Sequence, residues 1–436
     1  MTVLTILILV FPAVPEAAGT SLSPVWTRTF GTTGVDQGWG VELGPQGEVY
    51  LAGIVLGQGN DVFIARLDPA GNTVWENRWR QPYSQKAFEV KYSNGFLYVG
   101  GVTQRDFSVE SQDMLLLKLA SANGTIIWNT TWNGPADLYD EIDGIVVEDG
   151  YLYVSGWADV KTDYTAGDIA LVKLTQDGDY VTHSIWGSSG REEANGSMAS
   201  DGSTLYVAGI TGGTGLFSGG DAAVVAFSKA TLTETWNRTW GGSQVDDGLG
   251  LALRDDHLFI TGITTSFGGD KIFLLKYEVT GSQLFNATWG GSGTESARAI
   301  GVPPDQTGIY IAGKTSSYGS GGSDIVLLRY NQTGQLDWYR TWGGNGDEAS
   351  HGIFAASDAV YIAGETASQG QGSADILLMK VGLDGGTAGP VAPPAASNTL
   401  ASSVAIGLVL GALTLGLFLV RRHQRARRIQ SIPIPQ

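Results

Sequence analysis

At 436 residues with 42% apolar content, the chain is long enough to bury a large core, and its 63 glycines far exceed ordinary usage. It contains no cysteine, which excludes disulfides and thiol chemistry. The net charge is −17, and residues 20–420 alone carry 21 basic against 42 acidic side chains, so no nucleic-acid partner is expected.

The chain opens with an apolar run, Leu4 to Phe11, followed by small residues, with Ala17 and Gly19 suited to the positions before a cleavage. Residues 1–19 therefore read as a secretory signal peptide, although no Lys or Arg precedes the run.

From residue 20 to 383 the chain repeats itself. An aromatic recurs at Phe30, Trp79, Trp132, Trp186, Trp240, Trp289 and Trp342, spaced 49 to 54 residues apart. Four positions earlier stand Trp26, Trp75, Trp128, Thr182, Trp236, Phe285 and Trp338. That spacing puts both rings on one face of a strand. A second landmark reads "VYLAG", "LYVGG", "LYVSG" and so on, ending at Gly53, Gly101, Gly156, Gly209, Gly262, Gly313 and Gly364. Short runs of β-branched and aromatic residues closed by Gly are strands. A third is an Asp opening an apolar run that ends in a base, as in "DVFIAR" and "DILLMK".

Between the Trp and Tyr landmarks lies a variable strand that starts with small residues ("GWG", "IDG", "GLG"). Four strands in each of seven units make an all-β chain, a seven-bladed β-propeller. The small residues suit a crowded axis, so the variable strands should be innermost and the Trp strands outermost. The N-terminal Trp strand, residues 25–30, would then complete the last blade beside Asp375 to Val381.

The motifs "W-x-x-T-W-G-G", "I/L-Y-V/I-A-G" and "G-x-D-I-x-L-x-K" resemble the seven-bladed β-propeller (SBBP) repeat family of bacterial and archaeal surface proteins over about residues 25–382. The resemblance implies a scaffold and a surface location, with no catalytic residues to carry over. "DPAGNTVW" and "NQTGQLDW" are weakly similar to quinoprotein-like propellers. The WD dipeptide is absent.

Six residues after the second aromatic come Asp36, Glu192, Asp246, Glu295 and Glu348, with Asp140 offset by a two-residue insertion and Gln85 in the second unit. These acids could accept backbone N–H bonds from the glycine loops or bind a cation such as calcium; their repetition favours the loops. The third-strand column of Asp61, Asp113, Asp168, Asp221, Asp270, Asp324 and Asp375 suits turn amides. Unrepeated aromatics (Trp39, Trp157, Tyr83, Tyr139 and Tyr164) are better ligand candidates than the repeated ones. No nucleophile elbow, phosphate loop or metal-ligand spacing is present. An enzyme would need unrepeated groups such as Glu110, Glu141, Arg105, Arg191 and Arg298 to converge.

Glycosylation sequons occur at Asn123, Asn129, Asn195, Asn237, Asn286 and Asn331. Residues 384–398 form a Gly/Pro/Ala linker. Residues 399–420 follow as a transmembrane helix, whose uncharged run from Leu400 to Val420 spans roughly 31 Å. The basic tail, 421–436, should stay cytoplasmic and leave the propeller outside the cell. The expectation is a monomeric, membrane-anchored surface module that binds a protein or glycan without catalysis or a resident cofactor. The alternatives are an extracellular hydrolase, lyase or quinoprotein-like oxidoreductase, or a component of a surface coat.

Overall fold

The computed structural model describes residues 20–57, 59–106, 112–159, 167–188, 190–213 and 219–383. These residues form seven antiparallel sheets, each entered at its innermost strand. Blade one runs Gln37–Leu43, Val49–Leu56, Asn60–Leu67 and Thr73–Trp79 from axis to rim, and the later blades follow the same order.

Blade seven is assembled from both ends. Glu348–Ala355, Ala359–Thr366 and Asp375–Gly382 supply three strands, and Trp26–Phe30 adds the outermost one, with Trp26 opposite Lys380 and Phe30 opposite Ile376. The predicted closure is therefore present. Just before it, Thr20–Ser21 lies parallel to Arg340–Thr341 of blade six, and Leu22 is buried between blades six and seven.

The core is divided into seven clusters, each shared by two neighbouring blades. Tyr50, Val62 and Ile64 of blade one meet Val90, Leu97 and Leu115 of blade two, while Val41, Leu51 and Phe63 meet Tyr361, Ile376 and Leu378 of blade seven. No blade covers its own apolar faces, which is why the repeat must close into a ring.

The repeated columns acquire separate structural roles. In blades two, three, six and seven the basic residue ending the third strand lies over the Tyr of its own blade, as Lys380 does over Tyr361 at 5.2 Å and Lys118 over Tyr98 at 5.5 Å, and in blade five Lys276 lies over Phe259 at 5.2 Å. The first Trp column packs on a turn of the next blade. Trp75 donates to the Ser121 carbonyl at 3.1 Å, and a Cβ on Gly124 would stand 2.7 Å from its ring. With φ at +72° as well, only glycine fits that turn.

The glycine that closes each second strand has another cause. The inner strand carries a β-bulge opposite it, with register shifts at Gly38/Gly40, Ala87/Glu89, Ile142/Gly144, Gly248/Gly250, Ala297/Ala299 and Ser350/Gly352. The bulge pushes a carbonyl toward the second strand, so a Cβ on Gly156 would lie 1.7 Å from the Glu141 oxygen. In blade four the inner strand breaks into Arg191–Glu193 and Met198–Ser200 around the same place.

Among the described residues no helix is long and apolar enough to cross a membrane. The expected signal peptide, linker, transmembrane helix and tail lie outside the described residues.

Candidate functional site: the axial channel

Adjacent inner strands approach so closely that a Cβ on Gly352 would sit 1.9 Å from the Trp39 carbonyl, and one on Gly250 would sit 2.6 Å from that of Arg298. The small residues of the inner strands are thus a packing requirement, as expected at the axis. What remains free to vary is the residue inside each bulge. Going round the ring, these residues are Trp39, Phe88, Asp143, Asn195, Leu249, Arg298 and His351. All seven line one cavity of about 130 Å³.

Trp39 is the hub of that ring. His351 stacks on it at 4.3 Å and 13°, Phe88 meets it edge-on at 5.0 Å, and the Arg298 guanidinium lies 5.5 Å from its centroid. Burial lowers the pKa of His351, partly offset by Glu365 at 3.5 Å, so the imidazole is neutral at neutral pH. Trp39 and Phe88 also line a second space of about 460 Å³, whose other walls include Val35, Gln37, Leu56 and Lys86. The two rings therefore form a waist between a cleft and the axial cavity.

Blades three to five give one side of the channel an acidic wall. Glu141 accepts from the Tyr139 hydroxyl at 2.5 Å and from Trp157 Nε1 at 2.8 Å. Glu193 pairs with Arg191, and Asn195 Nδ2 donates to Asp247 at 3.2 Å. Burial pushes the Glu141 and Asp143 carboxyls up, Asp143 well above the carboxylate range, with Glu141 adding repulsion and Arg298 opposing it. Asp247 is pushed to about 6 by burial, against the Asn195 donation and the nearby Arg191. Toward the other end, Lys91 bridges Glu89 at 2.7 Å and Glu42 at 3.8 Å, and burial pushes Glu42 to about 7.

The acidic column of the sequence occupies a different place. Asp36, Asp140, Glu192, Asp246, Glu295 and Glu348 are all buried and stand apart from one another, one per blade. Each accepts from its own glycine loop: Glu348 takes Gly344 N at 2.8 Å, Ser368 N at 3.0 Å and the Thr366 hydroxyl at 3.0 Å. Asp246 takes Gly242 N at 2.7 Å, the Ser266 hydroxyl at 2.7 Å and the Thr264 hydroxyl. Asp140 and Glu295 hold Gly134 N and Gly291 N in the same way, and Gln85 takes Gln81 N at 2.9 Å in blade two. Among the described residues no group of three or more His, Asp or Glu is arranged to hold a metal ion.

Of the remaining candidates, Arg298 and Trp39 share the cavity, whereas Tyr139 and Trp157 buttress Glu141. Tyr83 sits beside the cleft at φ +76°, a strained conformation for a bulky residue. Arg105 pairs with Asp113 at 2.9 Å and with Asp137, away from the axis. Tyr164 and Glu110 lie outside the described residues, as do the central parts of the long insertions of blades two to four. The sequons separate as well. Asn123, Asn129, Asn237 and Asn286 are exposed, Asn331 is half-buried in its own turn, and Asn195 lines the channel. Sequence reasoning missed Phe88, Asp143, Leu249 and His351. The available signal was negative: no residue type recurs at this inner-strand position.

No family model and no curated protein matches the chain. Solved structures do. The WD40 repeats of RRP9 share 10% identity at a TM-score of 0.54, covering 84% of this chain and 99% of theirs. U3-55K shares 10% at 0.53, covering 84% and 100%. Kuenenia stuttgartiensis hydrazine synthase shares 12% at 0.50, covering 76% and 93%. Identities so low establish architecture alone, and they agree with the blades traced here: the chain is a seven-bladed β-propeller.

Proposed function

We propose that this propeller is a non-catalytic binding module, held at the cell surface by the 399–420 span and presenting its cleft, channel and neighbouring loops to a ligand. The observation that carries the reading is the contrast between a uniform rim and a ring of seven dissimilar bulge residues around a cavity. The apolar C-terminal run, the arginines after it and the SBBP-like motifs support the surface location. The four exposed sequons support glycosylation on the outside. Calcium, if bound, would have to compete with the loop amides that the acidic column already holds.

Catalysis is the second reading, favoured by one observation. Asp143 lines the channel, and it, Glu141 and Asp247 form a cluster around Glu193 with raised pKa values, a pattern that active sites share with structural networks. The experiment is affinity capture from cell-surface extract with the full chain, beside a variant in which residues 107–111, 160–166 and 214–218 are cut to short glycine turns. A partner retained by the parent and lost by the folded variant, without turnover, supports binding through the loop face. Turnover of any extract component, abolished by Asp143→Asn, would replace binding with catalysis. Capture indifferent to both the loops and the channel would reject this face as the site.

A further inference from the structure

The axial cavity holds polar groups of both signs that the protein itself leaves unanswered. Asp143 Oδ2 and Trp39 Nε1 are buried atoms with no hydrogen-bond partner, and His351, only 11% exposed, has Nε2 3.5 Å from Glu365 Oε1 but no hydrogen-bond partner at Nδ1. Native interiors rarely leave such atoms unsatisfied, and a group of them around one cavity calls for an explanation such as ordered water or a ligand. Arg298, whose guanidinium lies over Trp39, makes no hydrogen bond or ion pair among the described residues. The set thus contains donors (Trp39 Nε1, Arg298) and two groups able to donate or accept, the buried Asp143 carboxyl and the neutral His351 imidazole.

Three ligand chemistries can be weighed against that set. A bare divalent cation needs several convergent oxygens, and no such grouping exists among the described residues. An organic cation would answer Asp143 but leave Trp39 Nε1 unpaired and face Arg298. A neutral polyol answers every member, because each hydroxyl both donates and accepts. The volume fits: about 130 Å³ is room for roughly ten water-sized positions, enough for one six-membered sugar ring. The apolar walls, Phe88 and Leu249, suit the C–H face of such a ring.

We propose that the axial cavity binds a single neutral sugar residue, either free or as the end of a glycan chain, with Asp143, Arg298, His351 and Trp39 Nε1 meeting its hydroxyls. This rests on the binding reading above and names the ligand class for its channel.

The test uses the full chain in a detergent without a sugar headgroup. Saturation-transfer NMR would screen neutral methyl glycosides and neutral oligosaccharides, with methylguanidinium and glycine as charged controls. At least one neutral sugar should bind, and Asp143→Leu and Trp39→Phe should each weaken it about tenfold with the melting temperature held. Trp39→Phe keeps an aromatic ring at the waist but removes the N–H together with the pyrrole half of the indole. Equal binding of monosaccharide and oligosaccharide would identify a free sugar as the source, and stronger binding of the oligosaccharide would identify a glycan end. Binding of methylguanidinium alone, or of no probe at all, would overturn the proposal. If capture of a surface partner through the loops persists in that case, only this inference falls and the binding reading stands.

Discussion

The rim and the axis are built from strands of the same sheets, yet their sequences obey different rules. At the rim, Trp26, Trp75, Trp128 and Trp236 repeat because each packs its ring on a glycine turn of the next blade. At the axis, the residue inside each bulge lines the channel and meets different neighbours from blade to blade, Asp247 for Asn195 and Glu365 for His351, so no repeated contact constrains it. The repeat therefore reports packing, and the lapse in the repeat reports where the molecule is free to recognise something. The same logic separates two sets of carboxylates. Asp246 and Glu348 repeat because each clamps a glycine loop, whereas Asp143 has no counterpart and is not held by the fold.

That contrast can be broken from the rim inward. The largest effect should come from deleting residues 20–31, which removes the outer strand of blade seven together with buried Leu22 and half-buried Trp26 and Phe30. The lost apolar burial alone is roughly 5 kcal/mol, and urea unfolding should show it. An unchanged midpoint would mean that the ring is not closed by this strand.

Next in size is the loop clamp. Asp246→Ala leaves Gly242 N and the Thr264 and Ser266 hydroxyls without their acceptor, at a cost of about 2–4 kcal/mol by the same assay. Asp246→Asn should recover much of that, as the amide of Gln85 serves blade two. A melting temperature raised by calcium in the parent and not in Asp246→Ala would instead make the column a cation site.

A smaller effect concerns pH. Asp247 titrates at about 6 in the folded chain, above its unfolded value near 3.9, so the folded state holds a proton the unfolded state has released. The stability from that proton is complete below about pH 4 and is lost as pH rises through about 6. Asp247→Asn should therefore match the parent at pH 4 and exceed it by about 1–2 kcal/mol at pH 7, measured by urea unfolding at both values. A difference of the opposite sign would show Asp247 to be stabilised as a carboxylate by Arg191 and Arg298. The smallest effect should be that of Arg298→Ala. Its side chain is exposed to the channel, so stability should change by no more than about 0.5 kcal/mol. Sugar binding should nonetheless fall, and a large loss of stability would return Arg298 to the structural set.

Much of this was legible before any coordinates. Blade number, strand order within a blade, the inward position of the variable strand and the closure by residues 25–30 all follow from column spacing, because sheet geometry is local and periodic. The loop-clamping reading of Asp36, Glu192, Asp246, Glu295 and Glu348 also followed, from repetition alone. Two features escaped. One is the added strand at Thr20–Ser21, too short to carry a pattern. The other is the bulge: Gly53, Gly156 and their equivalents were visible, but their cause, a carbonyl pressed against the second strand, was not.

What the sequence determined by itself is therefore the scaffold, since every blade solves the same packing problem with the same residues. Only the tertiary structure decided that Trp39, Phe88, Asp143, Asn195, Leu249, Arg298 and His351 form one ring. They lie about fifty residues apart along the chain and share no residue type, so no local pattern connects them. The closing of the propeller brings them together, because seven inner strands must converge on a single axis.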